Sequence, residues 1–388
     1  MDYEYTEDER ILLRTVRDFG ERRFTDENVS QWRRDEGLPD EVVRGFVGLD
    51  FHGFEVVPGE GHGRYDLLAQ VLVLEELARA SGAVLPFPSD FVSLWAADVL
   101  SSGGELDFAL DRYRVEGRPA FACATYEPQS APDLLDIRAR VELRGGRLVL
   151  NGIKTFVNEG EYAPYLLVSA VDARHQDELS FWLVPRICAG LRAYPIDKVG
   201  QSLQPSSTLV FTDVELEESW RLHTEGQAEE RLLSLFDIAR LFDCATALGE
   251  AQAAMEDAVA YARGHEAYGA PVSDLSLEQE LLVDMEVRLQ AMRAAVYRSA
   301  LLMGSDAPAD EGRLSVTLAK RMVPAAATQV ASDAMQVMAL RGYTRSQRAS
   351  SIWQDCRGFQ MSDGTDQIIV NLAAPLLIEK YEGRADGI

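Results

Sequence analysis

The chain is short of the residues on which most generic site chemistry is built. Five histidines (His52, His62, His175, His223 and His265) are scattered along 388 residues, none in an HExxH or other ligand pair, which argues against a metal centre. Four cysteines (Cys123, Cys188, Cys244 and Cys356) show no CxxC and no framework spacing, which excludes a disulfide scaffold. Basic residues are scarce: 38 Lys and Arg face 63 Asp and Glu, for a net charge of -25. Such a surface repels phosphate backbones and anionic bilayers, so neither nucleic acid nor a membrane is expected as a partner. Long hydrophobic runs are missing as well, since charge interrupts each one well short of a membrane span. The acidic start Met1-Asp-Tyr-Glu-Tyr5 leads into no apolar signal segment. No GxSxG elbow and no Walker loop is found. These absences predict a cytoplasmic protein with reduced thiols.

The residues present describe an ordinary globular protein, 47% hydrophobic and 26% charged, long enough for two or three packed domains. The first third has helical periodicity. Thr6-Glu-Asp-Glu9 reads as a capping box, followed by Ile11, Leu12, Val16 and Phe19 on one face. Residues 68–80 (LAQVLVLEELARA) are apolar nearly all round, which predicts a buried helix. Gly59-Glu-Gly61-His-Gly63 follows no strand, so it reads as a surface loop and not a dinucleotide fingerprint. From Phe121 the period becomes two. Residues 138–143 alternate, Arg144-Gly-Gly146 turns the chain, and residues 147–150 return as a hairpin, with further strands predicted at 166–170, 179–184 and 209–214. After Glu225 the helical period resumes over 228–262, 277–302, 313–340 and 368–381. The predicted fold is α+β, with an N-terminal helical domain (1–119), a middle β-barrel or sandwich (120–224) and a C-terminal four-helix bundle (225–388).

One late stretch concentrates polar chemistry: Ser351-Ile-Trp-Gln-Asp355-Cys-Arg357, then Ser362-Asp363-Gly364-Thr365 before an apolar run. Gly364 permits a tight turn and Thr365 can cap the following helix. The Asp363 carboxylate is then either a general base or part of an ordinary N-cap cluster.

The domain order, with five local motifs, resembles the acyl-CoA dehydrogenase family over nearly the whole chain. Tyr126-Glu-Pro-Gln-Ser-Ala-Pro-Asp133 is similar to the family's Thr-Glu-Pro-x-x-Gly-Ser-Asp. Leu150-Asn-Gly-Ile-Lys154-Thr-Phe156-Val-Asn158 resembles Leu-Asn-Gly-x-Lys-x-Trp-Ile-Thr. Phe236-Asp237-Ile-Ala-Arg240, with Leu248-Gly249, resembles the start of the long bundle helix that lines the thioester. Residues 261–271 resemble Tyr-Ala-x-x-Arg-x-x-Phe-Gly-x-Pro, and Gln336 to Thr365 resembles Gln-x-x-Gly-Gly-x-Gly-Tyr…Arg-Asp-x-Arg…Glu-Gly-Thr.

The resemblance implies FAD held between subunits of a tetramer and α,β-desaturation of an acyl thioester, carried by CoA or a carrier protein, with electron-transfer flavoprotein as electron acceptor. It makes Asp363 the base and Phe236, Asp237 and Arg240 the substrate side. It assigns Tyr126, Phe156, Asn158, Gln336 and Thr365 to the cofactor. The departures fall mostly on the cofactor side. Tyr126 and Pro132 replace a threonine and a serine, and Phe156 and Asn158 a tryptophan and a threonine. His265 replaces an arginine, and Ala339-Leu340 a pair of glycines. A bundle glutamine falls on Ser276, which with Gln279 is expected to form a helix cap. The base is Asp where the family has Glu, one methylene shorter. Ala239 stands where some branches carry the base instead.

This pattern resembles the degenerate chain of two-chain dehydrogenases, in which a second homologous subunit keeps the chemistry. The alternatives are a self-sufficient homo-oligomeric dehydrogenase or enoyl-thioester reductase using Asp363, and a thioester-binding scaffold that has lost FAD. Assembly through the bundle is expected, because residues 323–339 (VPAAATQVASDAMQVMA) are rich in small apolar side chains that let helices approach.

Overall fold

A computed structural model describes residues 5–51, 66–129, 133–224 and 226–385. The glycine-rich stretch at 59–63 and Pro132 lie outside the described residues. Six helices open the chain: α1 (Glu7–Arg23), α2 (Asp26–Asp35), α3 (Asp40–Val47), α4 (Leu67–Ser81), α5 (Phe87–Val99) and α6 (Phe108–Glu116). The capping box at α1 is formed as the sequence predicts, with Glu9 N–H donating to Thr6 Oγ1 and Thr6 N–H to the Glu9 carboxylate. In α4 every residue except Arg79 and Ala80 is buried, as its all-round apolarity requires.

Seven strands follow: β1 (Phe121–Ala124), β2 (Arg140–Arg144), β3 (Arg147–Asn158), β4 (Tyr165–Asp172), β5 (Glu178–Pro185), β6 (Leu191–Pro195) and β7 (Ser206–Leu216). They make one mixed sheet in the order β1-β4-β2-β3-β7-β6, with β5 antiparallel to β4. The predicted hairpin is β2–β3, closed at Arg144↔Arg147. Strand β3 is bulged twice against β7, and the second irregularity falls between Lys154 and Val157. That bulge breaks the alternation of the strand and turns Phe156 outward.

The remainder is helical: α7 (Ala228–Gly264), α8 (Ser276–Met303), α9 (Ala309–Val337), α10 (Ala339–Gly342), α11 (Arg348–Phe359) and α12 (Asp366–Ala385). A two-strand ribbon, β8 (Glu266–Ala267) and β9 (Ala270–Pro271), separates α7 from α8. Helix α11 is an element the sequence reading did not separate out. Its buried Ala349, Ile352, Cys356 and Phe359 follow helical spacing, but polar neighbours dilute the pattern over so short a segment. It packs on α7 and α9 as a short addition to the long helices of the C-terminal bundle.

Two further expectations differ from the structure. Ser276 is the first helical residue of α8 and not its cap. Leu275 holds the cap position without a side-chain hydrogen bond, and the Gln279 amide donates to the Ser273 carbonyl instead. The small side chains of 323–339 do not form an open face, because Val323, Ala327, Val330, Ala331, Ala334 and Val337 are buried within the chain.

The long helix α7 joins the N-terminal and C-terminal helices, packing on α4, α5, α8, α9 and α11. Its approach to α4 depends on Gly249. A Cβ there would stand 2.1 Å from the Glu75 carbonyl oxygen and 2.8 Å from Ala78 Cβ. Overpacking of that kind costs about 1–3 kcal/mol. Gly249→Ala is therefore expected to lower the urea midpoint at unchanged m-value, and an unchanged midpoint would contradict this account of the α4–α7 contact.

Candidate active site

Helix α7 presents Phe236, Asp237, Arg240 and Asp243 to one side, because residues three and four apart share a helix face. Opposite them runs the turn between α11 and α12. Asp363 adopts φ +48° and Gly364 φ +109°, and Thr365 Oγ1 accepts from Ile368 N–H at 3.4 Å at the start of α12. The expected N-cap at Thr365 is therefore formed in the same turn that carries the Asp363 carboxylate.

Arg240, 1% exposed, joins the two sides. Its Nε donates to the Asp363 carbonyl oxygen at 2.9 Å, and its Nη1 to Asp237 Oδ1 at 2.7 Å. The other Asp237 oxygen accepts from Arg313 Nε at 2.7 Å, and Arg313 also holds Glu230. Arg240 Nη2 is buried without an acceptor. Asp237 and Arg240 thus form a network that fixes the backbone beneath Asp363.

The Asp363 carboxylate is met from the β domain. Tyr126 Oη donates to its Oδ1 at 2.7 Å, and the Tyr126 ring lies 5.1 Å from that of Phe236. Burial, then the charge of Asp363, pushes the Tyr126 phenol well above its ordinary range, so it stays a donor. The segment carrying Tyr126 is clamped to β3. Thr155 N–H donates to the Tyr126 carbonyl at 2.9 Å, and the buried Lys154 Nζ donates to Glu127 Oε1 at 2.7 Å and Ser169 Oγ at 2.9 Å. Burial drags the Lys154 ammonium down to about 8, with Glu127 opposing it. Burial pushes Glu127 upward, but Lys154 and the N–H groups of Ala139 and Arg138 hold it below the usual carboxylate range.

Three residues to which the sequence reading gave no role complete the wall. Lys320 Nζ, 1% exposed, donates to Asp243 Oδ2 at 2.6 Å, and Ser362 Oγ donates to the same oxygen at 2.5 Å. Burial and the nearby Asp363, opposed by Lys320, push Asp243 up to about 7. The signal was available, since Asp237, Arg240 and Asp243 recur every third residue on α7.

The residues expected to serve a cofactor divide. Tyr126 lies in the network, and Thr365 caps α12 two residues after Asp363. Asn158 uses its amide within the chain, donating to Ser89 Oγ at 3.0 Å and accepting from Ser206 Oγ at 2.6 Å. Phe156 stands apart at φ +51° with its ring 58% exposed, and Gln336 is exposed on α9. Ala339 is also left-handed, at φ +51°, and Leu340 is 83% exposed beside it. Non-glycine residues with positive φ carry strain that collects at functional positions, and Phe156, Ala339 and Asp363 are three of them. His265 stacks on Tyr261 at 3.8 Å, and its Nε2 lies 3.0 Å from Arg341 Nη1, so a guanidinium stands next to the position where the resemblance led us to expect one.

Comparison with known proteins identifies the family of the chain. Family models for the N-terminal, middle and C-terminal domains of acyl-CoA dehydrogenases match residues 6–105, 122–214 and 230–377. The chain belongs to the acyl-CoA dehydrogenase family. It is 28% identical to the protein named probable acyl-CoA dehydrogenase YdiO of Escherichia coli K12, over 99% of this chain and 100% of the other. The structure of an acyl-CoA dehydrogenase from Slackia heliotrinireducens superposes with a TM-score of 0.89 at 49% identity, over 98% of this chain and 100% of that one. Butyryl-CoA dehydrogenase from Megasphaera elsdenii shares the fold at 23% identity and a TM-score of 0.85, over 97% and 100% of the two chains. Family membership makes the chain an oxidoreductase with the three-domain dehydrogenase fold.

Removing one partner of a buried ion pair leaves an uncompensated charge and costs about 3–5 kcal/mol. Lys154→Met should therefore destabilise the protein by that order in chemical denaturation, and the double variant Lys154→Met/Glu127→Leu should recover part of the loss. Equal stability of the single variant and the wild type would contradict the clamp.

Proposed function

We propose that the chain carries out flavin-dependent α,β-desaturation of an acyl thioester, with Asp363 as the base and a second homologous dehydrogenase chain as its partner. The observation that carries the reading is the Asp363 turn, a carboxylate on strained backbone fixed from below by buried Arg240 and from the side by Tyr126. A weakly acidic proton next to a thioester carbonyl needs a base held at fixed distance, and this arrangement holds one.

FAD is the cofactor this reading requires, and the surface residues fit it. Phe156 offers an unshielded aromatic face, Gln336 an exposed amide, and Thr365 a hydroxyl beside the base. Ala339 keeps the left-handed turn of the motif position with only a methyl added. Tyr126 and Asn158 are committed within the chain and would contribute shape more than polar contacts. When bound, FAD supplies the acceptor for the β-hydrogen, which leaves as hydride. The chain's own part is to move the α-proton onto a carboxylate oxygen of Asp363. Tyr126 Oη, already donating to Oδ1, steadies that carboxylate, while Arg240 stops the turn from recoiling. Phe236 and the Tyr126 ring keep water from the reacting carbon.

Two features favour work with a partner chain. Asp reaches about one methylene less far than Glu, and Leu340 projects where the motif has glycine. Apolar Leu318 and Met322 on α9 and Val370, Leu377 and Ile378 on α12 are exposed in the single chain, and an assembly would cover them. Electron-transfer flavoprotein is the expected electron acceptor.

The test is turnover in the reconstituted assembly with an artificial electron acceptor. Asp363→Asn should lower turnover by about a hundredfold or more, while Asp363→Glu should retain or raise it. Full activity of Asp363→Asn would overturn the assignment of the base. A yellow, fully active assembly of this chain alone would overturn the need for a partner.

A further inference from the structure

The wall beside Asp363 is polar where a hydrocarbon chain would call for apolar side chains. Arg240 Nη2 is a buried donor without an acceptor. In the planar guanidinium fork one of its two hydrogens shares an edge with the Nε hydrogen, and Nε donates to the Asp363 carbonyl, so that hydrogen is aimed at the same turn. One helical turn on, at i+3, Asp243 takes both of its donors, Lys320 Nζ and Ser362 Oγ, on Oδ2. Its Oδ1 takes none among the described residues, and the side chain keeps 14% exposure. The two side chains bind adjacent residues of one turn, Arg240 the Asp363 carbonyl and Asp243 the Ser362 hydroxyl. An orphaned buried donor and an open carboxylate oxygen, three residues apart on one helix face, are the two halves of a hydroxyl-binding site. A hydroxyl accepts from one and donates to the other. With Asp243 ionised the Asp243–Lys320 pair is neutral as a whole, so it favours an uncharged substituent over a carboxylate or an ammonium.

We infer that this site selects acyl thioesters carrying a hydroxyl group a few bonds from the reacting carbon, held between Arg240 Nη2 and Asp243 Oδ1. The inference rests on the thioester reading above and deepens it by naming the substrate class. A hydrogen bond to a charged group contributes enough to separate a hydroxylated ligand from its plain analogue by about ten- to a hundredfold, since leaving both protein groups unpaired penalises the analogue.

The experiment is calorimetric titration of the full chain, with FAD added, against γ-hydroxybutyryl-CoA and butyryl-CoA. The expected result is binding of the hydroxylated thioester about tenfold or more tightly. The paired variant Asp243→Leu/Lys320→Met removes the carboxylate without stranding the ammonium, and it should abolish or reverse the preference. Equal affinity of the two thioesters for the wild type overturns the inference alone and means that the two groups hold water. That comparison decides the matter even if the paired variant fails to fold. A preference that survives in a folded paired variant also overturns it. Binding of neither thioester overturns the thioester reading, and this inference falls with it.

Discussion

The structure depends on a guanidinium buried where the three parts of the chain meet. Arg240 sits on α7, the helix that touches α4 and α5 on one side and α8, α9 and α11 on the other, and it is almost wholly removed from water. A charge so placed is tolerable only with partners, and Asp237, backed by Arg313, supplies the counter-charge. Its Nε donates to the backbone carbonyl of Asp363. The same contact that satisfies a buried cation also fixes a left-handed aspartate against its conformational preference. Stability of the α7 network and placement of the carboxylate are one interaction.

The β domain reaches the same point by a different device. Its bulged third strand carries Lys154 inward to Glu127 and Phe156 outward within three residues. The inward side holds the Tyr126 segment, and so its phenol, against Asp363. The outward side leaves an aromatic face open. A regular strand could not do both, because its alternation would put residues two apart on the same face.

The acidic excess noted at the outset does not extend to the site. Arg240, Arg313 and Lys320 are buried or half-buried around it and matched by Asp237, Glu230 and Asp243, so the centre is close to neutral within a strongly negative chain. Two atoms escape that matching, Arg240 Nη2 and Asp243 Oδ1, and they lie on the wall beside Asp363.

Periodicity in the sequence determined the helix–sheet–helix order, the buried character of α4, the β2–β3 hairpin and the capping box at Thr6. Each rests on residues within one turn or one pleat of each other. Motif resemblance added Asp363, Phe236, Asp237, Arg240 and Tyr126, since those residue types recur at fixed spacing. The tertiary structure decided what spacing cannot encode. It brought the Tyr126 hydroxyl to Asp363 across 237 residues, and it joined Lys320 and Ser362 to Asp243 from three separate segments. It also turned the small residues of α9 inward, used up the Asn158 amide on Ser89 and Ser206, and made a helix of 348–359, whose apolar stripe is too diluted to stand out. The division has one physical cause. Local pattern reports which face of an element is apolar, whereas the partner of a polar group is fixed only when distant elements pack and each buried donor must find an acceptor.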